Sequence, residues 1–281
     1  MAGTYEIIKV MNNNVLLALD LQQRQECILI GKGLGFGRQA GQRGEIPEGL
    51  VEKRFVAFDQ SVKQQYFQLI TGMDPKIVGL CAEVTAMAEG RLGVLNPQVH
   101  VVLTDHIGFA LERIRQGMEI HNPFLCEIEM LYPEEYAVAS QGVRYLSGQL
   151  GITIPADETG FIALHLHAAR QNEAVKETVR QTRLLKELVG LIEEQLGQPF
   201  EPTELTYQRL INHLRGLIDR VRKGTTVENP LFESIRREFA EAFAIALSLK
   251  AHMEKAYQLT VPDTELGYMA LHIERIRKSK G

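Results

Sequence analysis

The stretch Glu158-Thr-Gly-Phe-Ile-Ala-Leu-His165 returns near the end of the chain as Glu265-Leu-Gly-Tyr-Met-Ala-Leu-His272, 107 residues later. The offset holds without a gap over a long span: His106 maps to His213, Asn122-Pro123 to Asn229-Pro230, Pro155 to Pro262 and Arg170 to Arg277. A duplicated unit of this length is a domain, too long for one turn of a solenoid. Each copy carries two histidines at the same separation, His106 with His165 and His213 with His272.

Working outward from the repeat, the surrounding pattern is helical. Phe161, Leu164, His165 and Ala168 share one face by three-and-four spacing. Pro155 and Pro262 suit a first helical turn, and Asp157 and Glu158 suit the positive end of its dipole. Residues Val62 to Ile70, Ile77 to Gly90 and Val99 to Gln116 show the same period, broken at Gly72-Met-Asp-Pro75 and Asn96-Pro97. Tyr132-Pro133-Glu134-Glu135 opens another helix. The spacing predicts a bundle of about five helices per copy, the first over residues 64–172 and the second over 173–281. His213, flanked by Leu210 and Leu217, is expected in an apolar stripe, as is His272 after Tyr268 and Met269.

The first 58 residues read differently. Ile7–Met11 and Val15–Leu19 are short apolar runs separated by Asn12-Asn13-Asn14, the pattern of a hairpin whose turn tolerates positive φ. Glu26–Ile30 gives a third strand and Arg54-Phe55-Val56 a fourth, so a small antiparallel β module precedes the helical bundles. So short a sheet buries little apolar surface alone, and dimerisation is the expected remedy. Residues 37–52, with four glycines and Pro47, read as loop, and 59–63 as a linker.

Composition excludes several classes. With 45% hydrophobic and 23% charged residues the chain is an ordinary globular protein. No apolar run approaches the roughly 18 residues of a membrane span, and the N-terminal stretch lacks the basic-then-apolar pattern of a signal peptide. Cys27, Cys81 and Cys126 are odd in number and widely spaced, as in a reducing cytosol. The net charge of −4 is no nucleic-acid signal by itself.

Gly31-Lys-Gly-Leu-Gly-Phe-Gly37 invites nucleotide readings that its spacing rejects. A dinucleotide fingerprint requires glycine where Phe36 or Arg38 stands, and a P-loop requires Ser or Thr where Gly33 stands. Two readings stay open: a structural hairpin with Phe36 tucked into the sheet, or a backbone that approaches a nucleic acid while Phe36 stacks on a base and Lys32 and Arg38 meet phosphates. The histidines leave three. A lone one is usually a core residue, but four at duplicated positions exceed what packing requires. Metal binding lacks a recurring cysteine, and the repeated acids, Glu158 with Glu265 among them, match no ligand spacing. A histidine-dependent metal hydrolase lacks its His-Glu-x-x-His pattern. Phosphate acceptance is the third.

"KVMNNNVLLA" followed by "LIGKGLGFG" resembles the RNA-binding module of the transcriptional antiterminators of the family that includes the bgl and sac sugar-operon regulators. The duplicated unit resembles that family's two regulatory domains, so the likeness spans essentially the whole chain. It implies a non-enzymatic cytoplasmic homodimer that needs no cofactor or metal, binds an RNA hairpin of an mRNA leader and prevents terminator formation. Lys9, Asn14, Gly31, Lys32 and Phe36 match the family's RNA-contacting positions, with lysine at 32 where many members have arginine. His106, His165, His213 and His272 match its phospho-acceptors. A sugar-specific enzyme II component is the implied donor to the first domain and the phosphocarrier HPr to the second. Arg113 and Arg115, echoed by Arg220 and Arg222, lie roughly two helical turns from the first histidine of each pair, either to receive a phosphate or as a solvated face. "NPFL" with "LYPEEY" most resembles the glucose-responsive branch. The rival binding module, a DNA-binding regulator with the same regulatory domains, lacks a helix-turn-helix pattern before Ser61.

Overall fold

The computed structural model describes residues 2–56, 65, 68–69, 72–201, 204–225 and 228–279. The linker expected at 59–63 and most of the helix expected over Val62–Ile70 lie outside the described residues. Five strands come first: β1 (Ala2–Val10), β2 (Val15–Asp20), β3 (Gln25–Ile30), β4 (Arg43–Pro47) and β5 (Lys53–Val56). Helices α1 (Pro75–Leu92), α2 (Val99–Arg115), α3 (Leu125–Leu131), α4 (Pro133–Leu150), α5 (Ala156–Gln171) and α6 (Val175–Leu196) follow. The chain closes with α7 (Leu205–Lys223), α8 (Phe232–Glu238), α9 (Ala240–Tyr257) and α10 (Asp263–Ser279). The 107-residue offset carries α3 onto α8 and α4 onto α9 end to end. Among the described residues no helix is long and apolar enough to cross a membrane.

The chain divides into two compact units, residues 1–123 with 132–175 and residues 124–131 with 176–281. The first holds the sheet and helices α1, α2, α4 and α5. Its strands are antiparallel in the order β4-β1-β2-β3-β5. Strand β4 lies in the stretch expected to be loop. Only Ile46 of its five residues is buried, so this edge strand has no apolar alternation from which to read it.

Val15–Ala18 and Cys27–Ile30 are apolar on consecutive residues because both faces of the sheet are covered. On one face Met11, Val15, Leu17, Ile28 and Ile30 meet Val78 and Ala82 of α1. On the other, Tyr5, Ile7, Leu16, Ala18, Cys27 and Leu29 are closed over by Leu34 and Ile46. The sheet expected to need a partner thus finds part of its cover on α1. That helix starts cleanly, with Asp74 accepting a bond from the Lys76 N–H at 2.9 Å and Pro75 in the first position. It packs on α2 and α4 as well as on β2, while α5 packs on α2 and α4.

The second unit holds α3 and α6 to α10. Helix α3, inside the segment 64–172, is held there by Lys186 to Glu127 at 3.2 Å and by Arg215 to the Leu131 carbonyl at 2.9 Å. Helix α10 packs on α7, α8 and α9, which sets its histidine against that of α7.

Candidate nucleic-acid interface and histidine pairs

The Asn12–Asn14 turn and the glycine loop form one braced surface. Asn14 N–H closes on the Asn12 side chain at 2.8 Å, an Asx turn. The Asn14 carbonyl accepts from Gly31 at 2.9 Å and the Asn13 carbonyl from Gly35 at 2.8 Å, while the Asn14 side-chain oxygen accepts from Gly33 at 3.0 Å. A Cβ on Gly35 would stand 2.2 Å from the Asn12 carbonyl oxygen, and one on Gly31 1.8 Å from that of Leu50. Glycine is therefore required at both places by the protein's own backbone.

Phe36 is 77% exposed at the tip of this loop, not tucked into the sheet. Lys32 is exposed on the same loop, and Lys9 is partly buried on β1. An exposed ring and a cation on one loop are groups that can stack on a base and meet a phosphate. Asn14 is differently placed. Its amide donates to Glu83 of α1 at 3.3 Å, and that of Asn12 donates to the same carboxylate at 2.9 Å. Tyr145 of α4 also donates to Glu83. Glu83 carries no motif in the sequence, and only the packing of α1 on the sheet reveals it.

In the first repeat His106 of α2 and His165 of α5 lie with ring centroids 4.6 Å apart, next to Phe161. His106 Nε2 is 2.8 Å from Glu158, whose carboxylate is buried at 1% exposure in the first turn of α5. Burial and the neighbouring His106 push His165 down to about 3, so its imidazole is neutral at physiological pH. The pair lines a cavity of about 660 Å³ with Asp105 and Phe109.

In the second repeat His213 of α7 and His272 of α10 stack with centroids 3.4 Å apart and rings 21° from parallel. His213 is exposed at the rim, not within the expected apolar stripe; Leu210 and Leu217 are the buried members of that face. Burial lowers His213, as do Arg275, Arg220 and Arg209. Burial, His213, Arg275 and Arg220 take His272 down to about 4. The carboxylate is used differently here: Glu265, fully buried, accepts two bonds from Arg220 at 2.8 and 2.7 Å.

Two further histidines meet carboxylates. His167 meets Glu135 at 3.1 Å and His252 meets Glu187 at 2.8 Å. No group of three or more His, Cys, Asp or Glu among the described residues is placed to hold a metal ion.

A sheet that displays a braced loop, followed by two helical units that each present a histidine pair, defines a regulated nucleic-acid binder. The family profile described as CAT RNA binding domain matches residues 5–64, and that described as PRD domain matches residues 87–169 and 186–276. The chain belongs to this family of RNA-binding transcriptional antiterminators, which are regulators and not enzymes. It is similar to the PtsGHI operon antiterminator of Bacillus subtilis (strain 168), 34% identical over 279 residues, covering 98% of each chain. Transcription antiterminator LicT of the same organism is 29% identical over 277 residues, covering 97% of this chain and 99% of that one. A solved structure described as the crystal structure of GlcT CAT-PRDI has a TM-score of 0.51 and 38% identity, and covers 60% of this chain and 100% of that chain.

Proposed function

We propose that the chain is a sugar-responsive cytoplasmic antiterminator whose β module, residues 1–58, binds an RNA hairpin of an mRNA leader as a homodimer. Asn14 reads a base edge, Phe36 stacks, and Lys9 and Lys32 meet phosphate, on a loop that the Gly31 backbone braces. Phosphorylation at His106, His165, His213 and His272 sets its activity, with a sugar-specific enzyme II component acting on residues 64–172 and HPr on residues 173–281. Glucose transport genes are its targets; "NPFL" and "LYPEEY" support this, as do the 34% identity to a protein named PtsGHI operon antiterminator and relatives named GlcT.

The observation that carries the reading is Glu83, which ties the Asn12 and Asn14 amides to the helix that packs on α2 and α4. A carboxylate here occupies the donors that would read RNA, so any movement of α1 changes the reading surface. A phosphoryl group on His106 adds roughly −1.5 to −2 charge beside the buried Glu158 carboxylate. Like charges in a poorly solvated seam between α2 and α5 repel strongly, and α1 lies on that same bundle.

Titration of the full chain with hairpins from the leaders of neighbouring sugar-transport genes tests this. Asn14→Ala is expected to weaken the selected hairpin by about 1–3 kcal/mol. Glu83→Ala is expected to tighten it by roughly 1 kcal/mol, the scale of a released hydrogen bond. Unchanged affinity in both variants would remove this turn from the interface.

A further inference from the structure

Four charged groups around the second histidine pair distinguish it from the first. Arg220 is neutralised by Glu265. Arg209, one turn before His213, and Arg275, one turn after His272, line a cavity of about 120 Å³ with Thr206, His213 and His272. Among the described residues neither has a carboxylate partner. One repeat earlier these two places hold Val102 and Ala168. A second cavity of about 340 Å³, also lined by His213 and His272, includes Arg220 and Tyr268. Two guanidiniums without a carboxylate partner among the described residues therefore line the same cavity as a stacked pair of imidazoles, a match in charge for a phosphate dianion.

We propose that His213, His272, Arg209 and Arg275 form a phosphate-oxyanion site that the first repeat lacks. Its ligand is a phosphate group, either free or carried on one of the two imidazoles. The second source deepens the phosphohistidine reading and rests on it; the first does not. When a phosphoryl group is carried, the imidazole nitrogen lone pair forms the new N–P bond, the donor's bond to phosphorus breaks, and the ring's displaced proton leaves with the donor. Arg209 and Arg275 then pair with the non-bridging oxygens of the resting tetrahedral group, and stabilising that ground state slows its hydrolysis. In the first repeat the same group meets Glu158 and no arginine at the equivalent places.

Two measurements on the full chain separate the sources, each repeated on the Arg209→Gln/Arg275→Gln variant, in which both substituted residues are exposed. The first titrates inorganic phosphate and follows it by calorimetry and phosphorus NMR. Saturable binding at one site per chain, weakened at least tenfold in the variant, establishes the site with a free ligand. The second treats the chain with phosphoramidate and follows phosphohistidine lifetimes at each labelled position. A lifetime at His213 or His272 at least tenfold longer than at His106 or His165, collapsing in the variant, establishes it with a carried ligand. Phosphate affinity and lifetimes unaffected by the double substitution overturn the site, as does failure of both measurements to detect any ligand. If no histidine is labelled, the phosphohistidine reading fails, and free-phosphate binding alone decides the site.

Discussion

Arg113 and Arg220 occupy the same position in the two repeats, as do Glu158 and Glu265, yet the four residues are paired differently. Arg113 is drawn to the Glu119 carbonyl at 3.1 Å and to the Phe109 ring at 5.9 Å, which leaves Glu158 for His106. Gly216 stands where the first repeat has Phe109, and the Arg220 guanidinium passes 3.4 Å from the place its Cβ would take. Gly216→Phe is therefore expected to displace Arg220, free Glu265 for His213, and cost the second unit about 1–3 kcal/mol from the lost charged bonds. Proton NMR would show the His213 imidazole titrating at higher pH; an unaltered titration would mean that Phe109 does not set the pairing. The depressed imidazoles make a second prediction. An imidazole titrating near 4 at His272 and near 3 at His165, against 6.5 unfolded, makes the unfolded chain bind more protons below pH 6.5. Their contribution to stability is whole above 6.5 and is lost as the pH falls towards those lowered values. Urea midpoints that stay constant from pH 7 to about 4 would contradict the burial of both rings.

Among the elements, the helices were legible because their periodicity is local: α2 spans almost the segment that the spacing marks, and α4 opens at Pro133 with its acids in place. Strand β4 was not, since a half-exposed edge carries no pattern. Nor was the cover that α1 supplies to the sheet, because apolar residues on consecutive positions say that both faces are buried without saying against what. The matching helix ends differ between the repeats. Helix α4 ends on Gly151 at φ 67°, whereas the matching end of α9 places Gln258 at φ 56°. A side chain in that region is strained by roughly 1–2 kcal/mol. Gln258→Gly is expected to raise the stability of the second unit by up to about 1 kcal/mol once the extra freedom of the unfolded glycine is deducted. Thermal unfolding of the variant gives the sign directly, and a lower midpoint would indicate that the Gln258 side chain makes a compensating contact.

At the scale of the whole molecule, control requires that the histidine units alter what the sheet presents. The first unit contains the means, because α1 touches the Asn12–Asn14 turn, proposed above to read RNA, through Glu83 and the histidine-bearing bundle through α2 and α4. His106→Asp, which puts a second carboxylate near Glu158, is expected to lower readthrough of a leader terminator several-fold in a reporter strain. Undiminished readthrough would place the inhibitory signal elsewhere. From order along the chain alone come the duplication, the four histidines, the β module with its glycine loop, and the antiterminator family, because repeats, periods and motifs are properties of sequence position. Tertiary structure alone decided that Asn14 is held by Glu83, that α3 packs within the second unit, and that one histidine pair rests on a carboxylate while the other lies among arginines. Those outcomes depend on which side chains meet across helices, and two repeats with the same key residues diverge when a neighbour such as Phe109 becomes Gly216.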